Sequence, residues 1–112
     1  MPSDPESLTP LEACIVNRLA QRNPALRTDL SSLAVLRRDY TGAGSYTYFM
    51  ERPGDVARDH VVLDGYVDVG GVQLGLGAAL FLSDGRPWFL EVFTFGGESW
   101  DGGADDFVFN AG

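Results

Sequence analysis

Residues 61–95, VVLDGYVDVGGVQLGLGAALFLSDGRPWFLEVFTF, decide the fold. This stretch holds the densest β-branched and aromatic content of the chain, and two turn signals divide it. Gly70-Gly71 separates Val61–Val69 from Leu74–Ser83, and Asp84-Gly85 separates that run from Arg86–Phe95. An Asp-Gly pair between apolar runs is a strong hairpin signal, because a type I′ turn needs positive φ at both central residues. The stretch therefore predicts a three-stranded antiparallel meander. Within it, Val61, Leu63, Val67 and Val69 fall on one face, and Val62, Asp64, Tyr66 and Asp68 on the other. Gly75 and Gly77 lie in a strand interior, where glycine weakens pairing; they point to a bulge, a bend or the close approach of another group. Glu91 stands among aromatic residues, which suits either an exposed face or a paired carboxylate.

Upstream, Thr9-Pro10-Leu11-Glu12 reads as a helix start. Thr9 is the cap, Pro10 suits the first helical position, and Glu12 closes a capping box. Leu11, Cys14, Ile15 and Leu19 recur at helical spacing, with Arg18, Gln21 and Arg22 facing away. Asn23-Pro24 ends this helix and can start a second, buried through Leu26, Leu30 and Leu33. From Val35 the period shifts toward two. A hairpin follows, turning at Gly42-Ala43-Gly44, with Tyr46, Tyr48 and Met50 on one face and Thr47 and Phe49 on the other. Downstream of the meander, Gly96–Asp106 is a glycine- and acid-rich loop, and Phe107-Val108-Phe109 suits a last edge strand. The predicted architecture is α+β: two N-terminal helices packed on one face of a five- to six-stranded antiparallel sheet. All of it forms one domain over residues 1–112, frayed at 1–7.

The totals narrow the function. A chain of 112 residues with 45% hydrophobic content supports one globular core. No apolar run approaches the roughly 20 residues of a membrane span. The opening MPSDPES has neither a basic nor an apolar leader region, and there is a single cysteine; both lead to the expectation of a cytoplasmic protein. Net charge is −8 and unevenly spread: residues 1–38 carry +1, residues 39–112 carry −9. Such a field repels nucleic acid and membrane surfaces and steers a basic partner inward.

Chemistry is sparse. One His and one Cys supply no typical zinc set, and Cys14 on an apolar stripe reads as a buried thiol. His60 reads as a solvated strand-start residue. Gly75-Leu76-Gly77 lies in a strand pattern rather than before a helix, so it is no nucleotide fingerprint. The 101–106 loop offers three carboxylates beside glycines but lacks the spacing of an EF-hand. No enzyme, cofactor or metal is expected. What remains is a surface of acids interleaved with aromatics: Tyr46, Tyr48, Asp64, Tyr66, Asp68, Glu98, Trp100, Asp101, Asp105 and Asp106. Aromatics anchor protein interfaces, and acids add steering and specificity. A small-ligand or calcium-binding domain built on the 96–106 loop is the alternative, and edge strands offer pairing to a second copy of the chain.

Leu8-Thr-Pro-Leu-Glu12, Tyr40-Thr-Gly-Ala-Gly44, Leu80-Phe-Leu-Ser-Asp-Gly85, Leu90-Glu-Val-Phe-Thr-Phe-Gly-Gly97 and Trp100 together resemble small bacterial α+β proteins. Some of these look like immunity proteins of polymorphic or contact-dependent toxin systems. The resemblance spans nearly the whole chain, but its motifs are caps, turns and strands. It implies a cytoplasmic protein that binds and neutralises a basic toxin domain, often a nuclease. It transfers no binding residue, because immunity surfaces differ between pairs.

Overall fold

The computed structural model describes residues 8–23, 33–50, 58–83, 86–100 and 106–110. Helix α1 spans Pro10–Arg22. Its start is the expected capping box: the Glu12 amide donates to Thr9 Oγ1 at 3.1 Å, and the Thr9 amide donates to Glu12 Oε1 at 2.9 Å. At the other end Asn23 Nδ2 donates to the Leu19 carbonyl at 2.6 Å. One helix, not two, is found among the described residues. The segment expected to form the second, 24–32, lies outside them; Leu33 packs at the edge of the core.

Seven antiparallel strands follow: β1 Arg37–Tyr40, β2 Gly44–Tyr48, β3 Arg58–Val62, β4 Tyr66–Val69, β5 Leu76–Ser83, β6 Arg86–Thr94 and β7 Phe107–Asn110. The order across the sheet is β1-β2-β6-β5-β4-β7, with β3 also on β5. This corrects the expected five or six strands, and the added strand has a physical cause. The run Val61–Val69 is broken at Asp64-Gly65, where Gly65 takes φ +96°. Val62 lies opposite Ala79, but Val67 lies opposite Leu76. The outer strand thus holds two more residues than β5 between those points. Two is even, so side-chain alternation survives the break, and Val61, Leu63, Val67 and Val69 all still join or border the core. The three-stranded meander over 61–95 is present, β5 pairing antiparallel with β3 and β4 on one side and with β6 on the other, and the β1–β2 hairpin docks on β6. Asp84 and Gly85 lie outside the described residues, but Ser83 faces Arg86 across the pairing that they join.

Helix α1 covers one face of the sheet. Leu11, Ile15, Val16 and Leu19 form one cluster with Leu76, Ala78, Leu80, Leu90 and Val92. Full burial of each such side chain contributes roughly 1.5–3 kcal/mol. Cys14, expected on this stripe, is exposed: residues 11, 12, 15, 16 and 19 define the buried arc, and residue 14 falls outside it. Arg18 does not face away either. Its guanidinium lies 5.3 Å from the Phe109 ring centroid.

The second residue of that arc is charged. Glu12 is 4% exposed and its carboxylate is saturated. Oε1 accepts from the Thr9 amide and from Arg38 Nη2 at 2.5 Å; Oε2 accepts from Arg38 Nε at 3.0 Å and Thr47 Oγ1 at 2.5 Å. A buried carboxylate is tolerable when its lone pairs are matched in this way. The cluster locks α1 to β1 and β2. Burial opposes the Arg38 charge, but the bonds and attraction of Glu12 outweigh that and leave its pKa raised.

Candidate functional site

No described helix covers the opposite face of the sheet. Register alone determines what stands there. Arg37 faces Tyr48, Tyr48 faces Phe89, Phe89 faces Phe81, and Phe81 faces His60. One row of flat groups therefore crosses β1, β2, β6, β5 and β3. The Arg37 guanidinium lies 4.1 Å from the Tyr48 ring centroid. Centroid separations then run 5.3 Å from Tyr48 to Phe89, 4.4 Å from Phe89 to Phe81 and 5.4 Å from Phe81 to His60. The Phe81 and Phe89 planes differ by 13°. At 4.4 Å, nearly parallel rings must lie face to face. Ring faces at the centre of the row are thus consumed by one another, and ring edges point outward. The row is an apolar ridge, not a set of open faces on which bases could stack.

A second row runs beside it: Asp39, Tyr46, Glu91, Ala79 and Val62. The Tyr46 hydroxyl donates to Glu91 Oε2 at 3.2 Å. The negative charge of Glu91, then burial and the hydrogen bond, raise the Tyr46 pKa above its ordinary 10.0. Asp39 Oδ2 accepts from Arg37 Nε at 3.1 Å. Further along β5 and β6, Gly77 faces Phe93. A Cβ at Gly77 would lie 2.6 Å from two Phe93 ring atoms, so the ring rests on the bare backbone. Gly75 receives the Tyr66 ring in the same way. The strand glycines are thus explained by close approach of aromatic rings. A bulge in β6 completes the pattern: Phe81 faces Phe89 but Leu82 faces Pro87, so Trp88 is the extra residue, and its ring meets Phe89 edge-on at 4.8 Å.

Of the residues singled out from sequence, Tyr46, Tyr48, Tyr66 and Asp68 stand on this face, with Asp68 bonded to Asn110 Nδ2 at 2.5 Å. Asp64 does not join them. It pairs with Arg22 at the helix end at 2.9 Å, because the break at Gly65 releases it from strict alternation. Glu98 is occupied as a clasp, accepting from the Gln73 and Leu74 amides at 2.9 Å each. Trp100 is corrected from surface anchor to core: it is 7% exposed, and its amide donates to the Gly42 carbonyl at 2.8 Å. Asp106 is exposed beside β7; Asp101 and Asp105 lie outside the described residues. Sequence reasoning flagged Glu91 as a carboxylate among aromatics and took His60 as a solvated strand start, but included neither in the binding surface, and it passed over Arg37, Phe81, Phe89 and Phe93. Alternation placed Phe89, Glu91 and Phe93 together, but carried no sign that their side was the uncovered one.

A separate cleft of about 380 Å³ opens among Gly42, Gly70, Gly71, Ser99 and Trp100. Among the described residues, no helix is long and apolar enough to cross a membrane. Comparison with known proteins gives no match, whether to family models, to curated proteins or to solved structures.

Proposed function

We propose that this chain is a non-enzymatic binding protein of the cytoplasm, an immunity-type inhibitor that docks a basic toxin domain on the open face of its sheet. The observation that supports this best is the ladder Tyr48–Phe89–Phe81–His60, which no described helix covers, flanked by Tyr46 and Glu91. Aromatic groups at the centre of a patch with polar groups at its rim are the anatomy of a protein interface. The net charge of −8 favours a basic partner over an acidic one.

The test is co-expression with any toxin domain encoded beside this gene, followed by affinity and neutralisation measurements in low and high salt. Binding that weakens with salt, and that falls when Phe89 is replaced by Ala but not when exposed Cys14 is replaced by Ser, supports docking on this face. Unchanged affinity in Phe89→Ala rejects it, and failure to neutralise any neighbouring toxin rejects the immunity role. The second reading, a small-ligand domain, draws on the cleft beside Trp100. A midpoint rise in thermal unfolding with calcium or metabolites would favour it, since a ligand preferring the native state raises stability.

A further inference from the structure

We infer that Glu91, framed by rings on the open face, is the seat for an arginine side chain of the partner. This inference rests on the docking role proposed above and names the chemistry that would be recognised.

Glu91 is partly exposed. On its own strand Phe89 and Phe93 flank it two residues away on the same side, about 6–7 Å in each direction. Across the sheet its neighbours are Tyr46 on β2 and Ala79 on β5. Tyr46 holds Oε2; among the described residues nothing donates to Oε1. On the Ala79 side the neighbour is a methyl group, which donates no hydrogen bond; Ala79 itself is 7% exposed, so a donor reaches the partly exposed carboxylate from above the sheet, between Phe89 and Phe93.

The molecule contains a filled combination of the same groups nearby, spanning the two rows. There, a guanidinium, Arg37, sits over a tyrosine ring at 4.1 Å while its Nε donates to a carboxylate, Asp39, at 3.1 Å. Tyr46 and Glu91 repeat the tyrosine and the carboxylate without the guanidinium. A guanidinium is the matching group: it is flat, it packs against rings, and it donates in a fork to carboxylate oxygen. Lysine supplies charge but neither the fork nor the flat face. The site therefore selects arginine within a basic surface, rather than basicity alone.

The test needs no partner. Acetyl-triarginine amide and the same peptide with citrulline in place of arginine are titrated into the whole protein, followed by amide and methyl NMR shifts. The expected result is a response centred on Ala79 and Phe89–Phe93 for the arginine peptide only. Glu91→Gln should weaken it by about tenfold, the scale of one lost charge-assisted hydrogen bond. Asp59→Asn removes the same charge from β3, outside this frame, and should change affinity less than about twofold. Equal losses in the two variants, an equal response to citrulline, or shifts scattered over all acidic regions overturn the assignment. The two proposals fail separately. A toxin whose binding falls in Phe89→Ala but ignores Glu91→Gln leaves docking intact and removes the arginine seat. A peptide held at Glu91 without any neutralised toxin does the reverse.

Discussion

The two faces of the sheet carry the same chemical vocabulary and finish it differently. On the helix side, Glu12 is sealed by Thr9, Arg38 and Thr47, and every oxygen is matched. On the open side, Glu91 has a single donor among the described residues. Aliphatic residues fill the first face; flat rings line the second. A face completed by its own chain stabilises the fold. A face left incomplete is available to something else, and substitutions should separate the two roles.

The largest effect is expected from Arg38→Ala, which leaves the Glu12 carboxylate buried without its cation. That should destabilise by about 3–5 kcal/mol in denaturant unfolding. A loss below 1 kcal/mol would mean the cluster is not structural and the contrast is false. Neighbours on β5 give the next comparison. Leu80 is fully buried against the helix, so Leu80→Ala should cost about 2–5 kcal/mol. Phe81 points the other way, and Phe81→Ala should cost nearer 1 kcal/mol, the scale of a cross-strand aromatic pair. Reversal of that order would show that the ladder is the true core. Gly77→Ala should cost about 1–3 kcal/mol, because the new methyl must displace the Phe93 and Phe95 rings. Glu91→Gln should leave stability within about 0.5 kcal/mol.

The smallest effect is a titration. The Tyr46 phenol is held protonated by Glu91, so its folded pKa lies above 10.0. A raised pKa means that the contribution to stability is complete below pH 10 and fades as pH climbs through the folded value. Phenolate absorbance should show one tyrosine ionising late in the native protein. Glu91→Gln should bring it back toward the ordinary range.

How much of this was legible in the sequence follows from distance along the chain. Thr9 and Glu12 are three residues apart, and their capping box could be read directly. The burial of Glu12 could not, because Arg38 and Thr47 are 26 and 35 positions away. Alternation sorted Val61–Val69 and Trp88–Phe93 into faces, yet it says nothing about which face a helix covers. Tyr46 and Tyr48 were recognised as surface aromatics and Glu91 as a carboxylate set among aromatics, while Phe81 and Phe89 passed as ordinary strand residues. Trp100 misled because glycines and acids around it signal a loop, whereas its place in the core cluster and its amide's bond to the turn at Gly42 depend on residues far away in the chain. Asp64 misled for the opposite reason: it sits at a break that strict period-two counting cannot register.

The pairing of β2 with β6 also bears on how the chain reaches this state. Strands β5 and β6 are separated by two residues and can zip locally, whereas Tyr48 must find Phe89 across 41 positions. Non-local closure of that kind is slow, since chain entropy is lost before contacts form. Until β2 arrives, β6 is a naked edge bearing Trp88, Phe89, Val92 and Phe93, with the backbone donors and acceptors on its β2 side unpaired. Such an edge is a template for other chains. Refolding should therefore lose yield as protein concentration rises, and the late arrival of one short strand is what closes that window.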